Sequence, residues 1–346
     1  MRGLVLKGHG GVDQLELRTD LPDPPPPTGH EVRVRIAAAA LNHLDLFVLQ
    51  GIPGVTLTPD WIPLADGAGT VDAIGDRVTS VRVGDHVVIN PGLSCRACEY
   101  CLAGEQPLCP RFRLLGEHRP GTAAELCVVP EWNVRTVPAS IAPHEAAAFT
   151  LATLTAYRMV ESRARVRAGE RVLIWGIGGG VALAALQLCA SRGATTWVTS
   201  SDPQKLGRAR ALGADHLLDH ARQDIPREIR EATGKAGVHV VIDSVGEQTW
   251  ARSLASLGRA GRLVTCGGTS GPMVQTDVRR LFWNQWSLMG STMGSDDEFD
   301  AIVAAFRAGR LRPPIDSVWP LAHAREAYER LSSGRQFGKV VLQVAA

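Results

Sequence analysis

The chain has 346 residues and a formal net charge of +2, with 37 basic and 35 acidic side chains interspersed. That length accommodates two domains with separate cores, and the near balance of charge, with no basic stripe among aromatics, argues against a nucleic-acid or membrane partner. No apolar stretch reaches spanning length, and the Leu4-Val5-Leu6 run is too brief for a signal-peptide core, so a cytoplasmic protein is expected.

The first third reads as short strands and turns. Val32-Arg33-Val34-Arg35-Ile36 alternates at period two, as does Val81-Arg82-Val83, and Val87-Val88-Ile89 is a buried run. Pro22 to Pro27 forms an extended connector. Between Pro91 and Arg111 the pattern breaks into a loop carrying Cys95, Cys98, Cys101 and Cys109, spaced C-x2-C-x2-C-x7-C. Pairs of thiols three residues apart can grip one ion from a tight turn, and four thiolates close a tetrahedron with no open position. Such a site staples a loop and does not catalyse. Cys127, Cys189 and Cys266 lie among apolar neighbours and read as reduced core thiols.

From Arg171 onward strands alternate with helices. Arg171 to Trp175 is a strand, Val181 to Ser191 a helix ended by Gly193, and Thr195 to Thr199 a second strand. Asp202 before Pro203 N-caps the next helix, which Gly213 closes. His216 to Leu218, Val238 to Ile242, Arg262 to Thr265 and Leu288 to Thr292 supply further strands, a rhythm that implies a parallel, doubly wound sheet. A helix at Asp297 to Ala308 and a strand at Lys339 to Val344 are expected to return to the first domain. The expected division is 1–145, 146–292 and 293–346.

Gly176-Ile177-Gly178-Gly179-Gly180-Val181-Ala182 sits between a strand and a helix. Glycines there let the backbone approach a pyrophosphate, whose charge rests on the helix N-terminus. The second strand ends in Thr199-Ser200-Ser201, with Lys205 one turn into the following helix. Small hydroxyls and a lysine suit the 2′-phosphate of NADPH better than the bare ribose of NADH, which usually meets an acidic residue.

These features, with Gly67-Ala-Gly-Thr-Val71, Val83-Gly84-Asp85-His-Val87, Gly121-Thr122, Thr155-Ala-Tyr157 and Gly338-Lys-Val-Val341, give a chain that resembles the medium-chain dehydrogenase/reductase superfamily. The resemblance covers essentially the whole length. It implies a GroES-like β-rich catalytic domain and a Rossmann domain, with active site and cofactor in the cleft between them. It further implies nucleotide contacts from the glycine loop (Gly176, Gly178, Gly179, Gly180, Val181), from Ser200, Ser201, Lys205 and His220, and from Ser244, Gly267, Gly268 and Lys339. Relatives commonly dimerise through the last Rossmann strand, so a homodimer or pair of dimers is expected.

Zinc-using members hold a second, catalytic zinc through cysteine, histidine and cysteine. Here those ligands fall on Asn42, Ala65 and Leu151, with Asp66 in place of the accompanying glutamate. Alanine and leucine cannot ligate a metal. The chain therefore looks like a quinone oxidoreductase-type member with one structural zinc, reducing quinones or α,β-unsaturated carbonyls with NADPH. Asn42, His43, Asp45 and Thr155 are the catalytic candidates, Asn42 as hydrogen-bond donor to the developing oxyanion and His43 either as a second donor or, as the resemblance implies, as a contact to the cofactor pyrophosphate. Two other readings stand beside it. One is an alcohol or aldehyde dehydrogenase with a substitute metal site from His43, Asp45 and Asp66. The other is an NADPH-binding structural or sensor protein without essential turnover. His118 reads as a solvated loop histidine, and Trp283 and Trp286 as core or subunit interface.

Overall fold

The computed structural model describes residues 1–345. The chain divides into two compact units, Met1–Ala152 with the segment from Gly294 onward, and Thr153–Met293. The first division falls inside a helix, seven residues beyond 145/146, because that helix continues unbroken past the boundary where its composition changes.

In the first unit an antiparallel hairpin joins β1 (Gly3–Leu6) to β2 (Leu15–Arg18). The alternation at Val32 belongs to a longer strand, β3 (Glu31–Ala40), whose Val32, Val34 and Ile36 are fully buried. Helix α1 (His43–Gln50) follows, then β4 (Asp66–Ile74) and β5 (His86–Ile89). Val81-Arg82-Val83 is not a strand. Val83 is 61 % exposed, Gly84 takes φ +94° and the Arg82 N–H is held by the Asp85 carboxylate at 2.8 Å. A three-residue alternation is outweighed by this turn chemistry. Strand β6 (Gly92–Leu93), the short helix α2 (Glu99–Leu102) and β7 (Arg113–Leu114) form the cysteine lobe, with β6 and β7 paired at its neck. Strands β8 (Leu126–Pro130) and β9 (Val134–Thr136) and helix α3 (Pro143–Tyr157) complete this stretch.

The second unit alternates strictly: β10 (Arg171–Ile174), α4 (Gly180–Ser191), β11 (Thr195–Ser200), α5 (Pro203–Ala211), β12 (His216–Asp219), α6 (Ile225–Ala232), β13 (Val238–Asp243), α7 (Glu247–Ser256), β14 (Leu257–Thr265), α8 (Val278–Trp283) and β15 (Ser287–Gly290). All six strands are parallel, in the order β12-β11-β10-β13-β14-β15. This is the doubly wound Rossmann order, and ligands of such sheets bind at the carboxyl ends of the strands where the order reverses, here beside β10. Val172, Leu173 and Ile174 are fully buried, as a central strand covered on both faces requires. Strand β15 lies at the edge and spans Ser287–Gly290, shorter than the expected Leu288 to Thr292.

Helix α9 (Asp296–Arg307) opens with a capping box between Ser295 and Glu298. Strand β16 (Ile315–Pro320), helix α10 (Ala324–Ser332) and β17 (Lys339–Gln343) follow. Strand β17 pairs antiparallel with β3, which also pairs with β4, so Ala40 stands between Val341 and Asp66. The first unit is thus a GroES-like β domain into which the C-terminal strand is sewn. Among the described residues no helix is long and apolar enough to cross a membrane.

Candidate functional site

The four lobe cysteines come together. Their Sγ atoms all lie within 4.8 Å of one another, with Cys98–Cys101 at 3.5 Å and Cys95–Cys101 at 3.9 Å. None is in a disulfide. A tetrahedral zinc with bonds near 2.3 Å places its sulfurs about 3.8 Å apart, so the donor set fits that ion. The backbone N–H groups of Cys95 and Arg111 both donate to Cys109 Sγ at 3.4 Å, as around a bound thiolate. Arg96 of the lobe pairs with Asp296 at 2.6 Å and Gln106 accepts from the Asp296 N–H, which ties the lobe to the start of α9. Cys127 and Cys189 are interior thiols, each pushed up to about 12 by burial, whereas Cys266 is only half-buried by surface area.

In the second unit the glycine loop joins β10 to α4 at the switch point. Gly176 (φ +69°) and Gly178 (φ +127°) occupy backbone regions that favour glycine, and Gly179 is the N-cap of α4. The N–H groups of Gly180, Val181 and Ala182 have no intrahelical acceptor by position and face the loop, a setting that fits a pyrophosphate. The hydroxyl of Thr199 accepts from the Gly176 N–H at 3.2 Å and fixes the turn against β11.

At the end of β11, Ser200 Oγ accepts from the Asp202 N–H at 3.1 Å. Asp202 in turn caps α5, accepting from Gln204 N at 2.8 Å, so its carboxylate is engaged by the helix. Ser201 is exposed and Lys205 half-buried on α5. His220 follows β12, and its backbone N–H donates to the Ser200 carbonyl at 3.2 Å, which places the residue at the same strand ends. Burial and the nearby Arg252 hold the His220 imidazole below its ordinary value. Ser244 is joined to the Gly267-Gly268 turn, for its carbonyl accepts the Thr269 N–H. Thr155, on α3, is buried against Met293.

The remaining candidates meet in the first unit. Lys339 Nζ donates to Asn42 Oδ1 at 2.5 Å and to Asp66 Oδ2 at 2.9 Å. Asn42 Nδ2 donates to the same Asp66 oxygen at 2.9 Å. Asp66 Oδ1 accepts from the Thr150 hydroxyl at 2.6 Å and from the Leu151 N–H at 2.7 Å. Each carboxylate oxygen therefore holds two donors. Asp66 has 0 % exposure and Lys339 4 %. The sequence assigned Lys339 to the cofactor. In the fold its ammonium is taken up in the interior by Asn42 and Asp66.

Asp45, expected in catalysis, is interior and accepts from the Asn42 N–H at 2.6 Å as part of the α1 N-terminus. Burial pushes its carboxyl up to about 7. His43, the first residue of α1, is half-buried; burial and then the charge of Lys339 hold its imidazole below the ordinary value. A neutral imidazole offers one donor and one acceptor. The substitute metal site from His43, Asp45 and Asp66 is not assembled. Among the described residues the four cysteines are the one group of such side chains gathered closely enough to hold an ion. His118 is exposed, as expected; Trp286 is buried, whereas Trp283 is 70 % exposed.

Sequence reasoning missed Thr150 and the partners of Lys339. Asp66 lies 273 residues and Asn42 297 residues from that lysine, and no local signal spans such separations. The one available hint was the strand pattern at Lys339 to Val344, which required a partner in the first domain.

Comparison with known proteins agrees with this geometry. Residues 28–139 match the alcohol dehydrogenase GroES-like domain, and residues 180–308 match the zinc-binding dehydrogenase family. An NAD-dependent alcohol dehydrogenase of Sulfurisphaera tokodaii is 30 % identical over 99 % of both chains. A quinone oxidoreductase of Pseudomonas aeruginosa is 30 % identical over 96 % of this chain and 97 % of that one. A crystal structure of an NAD-dependent alcohol dehydrogenase superimposes with a TM-score of 0.96 at 43 % identity, covering both chains completely. A GroES-like unit with a four-cysteine lobe, a six-stranded dinucleotide sheet and full-length likeness to such enzymes make one consistent set, and the chain belongs to the medium-chain dehydrogenase/reductase superfamily as an NAD(P)H-dependent oxidoreductase.

Proposed function

We propose that the protein is an NADPH-dependent reductase of quinones or activated alkenes that works without a catalytic zinc. One observation carries this reading. Where zinc-using relatives keep their ligands, this chain has Asn42, Ala65 and Leu151, and the neighbouring Asp66 has both oxygens filled by Thr150, Leu151 N–H, Asn42 and the Lys339 ammonium. A carboxylate so saturated, with an ammonium 2.9 Å away, is a poor ligand for a divalent cation.

A bound nicotinamide supplies the hydride. The protein's part is to orient the substrate and meet the charge that develops on its oxygen. Asn42 gives one amide N–H to Asp66 and keeps a second that no described residue takes; we assign that N–H to the substrate oxygen. His43 supplies a second donor. Hydrogen bonds of this strength suit an enolate or hydroquinone, whose charge is delocalised, better than a simple alkoxide. Thr155 and the Gly267-Gly268 turn are assigned to the nicotinamide, and the glycine loop to the pyrophosphate. Ser200, Ser201 and Lys205 favour NADPH, because the carboxylate that follows them directly, Asp202, is engaged as a helix cap, and that of Asp219 on the next strand accepts from the Ala221 N–H. The lobe is assigned one structural zinc. The reading includes a cytoplasmic location and a homodimer built through the β15 edge, beside which Val278, Phe282 and Trp283 of α8 are exposed.

The names of the alcohol dehydrogenase relatives favour a second reading, oxidation of an alcohol with NAD. One screen separates the two. NADPH and NADH oxidation is followed with quinones, enones and aldehydes, and NADP⁺ and NAD⁺ reduction with ethanol and benzyl alcohol, with and without added zinc. The reductase reading expects fast quinone or enone reduction, tighter NADPH than NADH, and little alcohol oxidation. Brisk, chelator-sensitive alcohol oxidation overturns it, and tight NADPH binding without any turnover indicates a non-enzymatic role.

A further inference from the structure

The Lys339–Asp66 pair needs a reason to exist. Both groups are almost wholly buried, and burying an ion pair gives little stability compared with apolar residues of the same size. Its geometry supplies one. The two ends of an asparagine carboxamide are nearly the same size, so only the partners decide which end points where. An ammonium can only donate and a carboxylate can only accept. Lys339 sits on Oδ1 of Asn42 at 2.5 Å and Asp66 on Nδ2 at 2.9 Å. A flipped amide would set N–H against ammonium and carbonyl against carboxylate, so a single orientation survives.

We propose that Lys339 is a positioning residue for hydride transfer, which together with Asp66 locks the Asn42 carboxamide so that an N–H, and not the carbonyl, is presented to the substrate oxygen. The ammonium on Oδ1 also draws electron density from the amide and strengthens its N–H as a donor. Thr150 and the Leu151 N–H hold the other oxygen of Asp66 and keep the carboxylate from rotating. The register of β17, β3 and β4 sets the three side chains at neighbouring strand ends. This assignment rests on the reading of Asn42 as the donor at the substrate oxygen, and it holds for any carbonyl or quinone acceptor.

The test is a double-mutant cycle run on the acceptor that the wild type reduces fastest among 1,4-benzoquinone, cyclohexenone and benzaldehyde. Lys339→Met is expected to lower kcat roughly 10- to 100-fold, with acceptor KM and NADPH dissociation constant changed less than about threefold. Lys339→Arg, which keeps the charge and the donors, should recover most of kcat. Asn42→Ala should lose at least as much, and adding Lys339→Met to it should cost little more, because the lysine acts through the amide. If Lys339→Met does not fold, the neutral pair Asp66→Asn with Lys339→Met replaces it, with the same loss expected.

Several results overturn the proposal. A weakened NADPH affinity with unchanged kcat would make Lys339 a ligand of the cofactor phosphates. Losses that multiply in the double variant would mean that it acts apart from Asn42. A large effect of Asn42→Ala with none from Lys339→Met sinks this proposal alone. No effect of Asn42→Ala sinks the reading of Asn42 and this proposal with it, as does a wild type that reduces none of the three acceptors.

Discussion

Replacing Cys98 and Cys101 together by serine tests what holds the lobe in place. Between Cys95 and Cys109 few side chains are buried, and the apolar ones point outward: Tyr100 is 38 % exposed, Leu108 54 % and Leu102 76 %. Apolar burial is therefore too small to offset the ordering of this segment, at roughly 1–2 kcal/mol per residue. The paired neck of β6 with β7 and the contacts of Arg96 and Gln106 with Asp296 are peripheral by comparison. A structural zinc contributes about 10–16 kcal/mol of apparent binding energy, comparable to the lower end of that ordering cost and the largest single contribution the lobe has. The double variant should lose its zinc, from one per chain to none by elemental analysis. Amide hydrogen exchange across residues 95–112 should then rise by at least about 1,000-fold, equivalent to ~4 kcal/mol of lost protection. The first turn of α9 should loosen as well, since Asp296 loses its lobe partners. Turnover per folded active site should change less than about threefold. A lobe that stays protected without zinc would refute the argument from its missing core. A protein that retains one zinc after the substitution would show that the ion sits elsewhere, and two zincs per wild-type chain would remove the basis for metal-free hydride transfer.

Stability should depend on Asp45. Its folded value of about 7 lies above the 3.8 of an exposed carboxyl, so between those values the folded chain holds a proton that the unfolded chain has lost. This contribution is fully present below about pH 4 and is lost as pH rises through about 7, at up to ~1.4 kcal/mol per pH unit. Melting temperatures compared between wild type and Asp45→Asn at pH 5 to 8 should converge at the acid end and separate towards pH 8; parallel curves would contradict it. Glu131 acts in the opposite sense, since the Thr79 and Ser80 N–H groups and His30 hold it down to about 2. Its contribution is present above about pH 4.5 and fades as pH falls towards 2. Light scattering at micromolar concentration should give a dimer or tetramer that Trp283→Glu with Phe282→Glu disrupts, and a monomeric wild type would contradict assembly through β15.

Local pattern and composition determined a good deal. The cysteine spacing specified a four-thiolate lobe, because ligands three residues apart need only one turn of chain to meet. The alternation of buried runs with helical stretches from Arg171 specified the doubly wound sheet, and the glycines at 176–180 the tight turn from β10 into α4, since strand, turn and helix are contiguous there. Asp202 was readable as a cap because its partner is two residues away. Where the signal was short it misled, as at Val81 to Val83, whose alternation is overruled by the turn at Gly84 and Asp85. The partnership of Lys339 with Asp66 and Asn42 was decided by tertiary structure alone. It depends on β17 returning across nearly the whole chain to pair with β3, and on the register that brings the ends of three strands together. A sequence shows which side chains can donate or accept, but when both partners are distant the fold determines which of them meet, since burial leaves a donor or acceptor no water to fall back on.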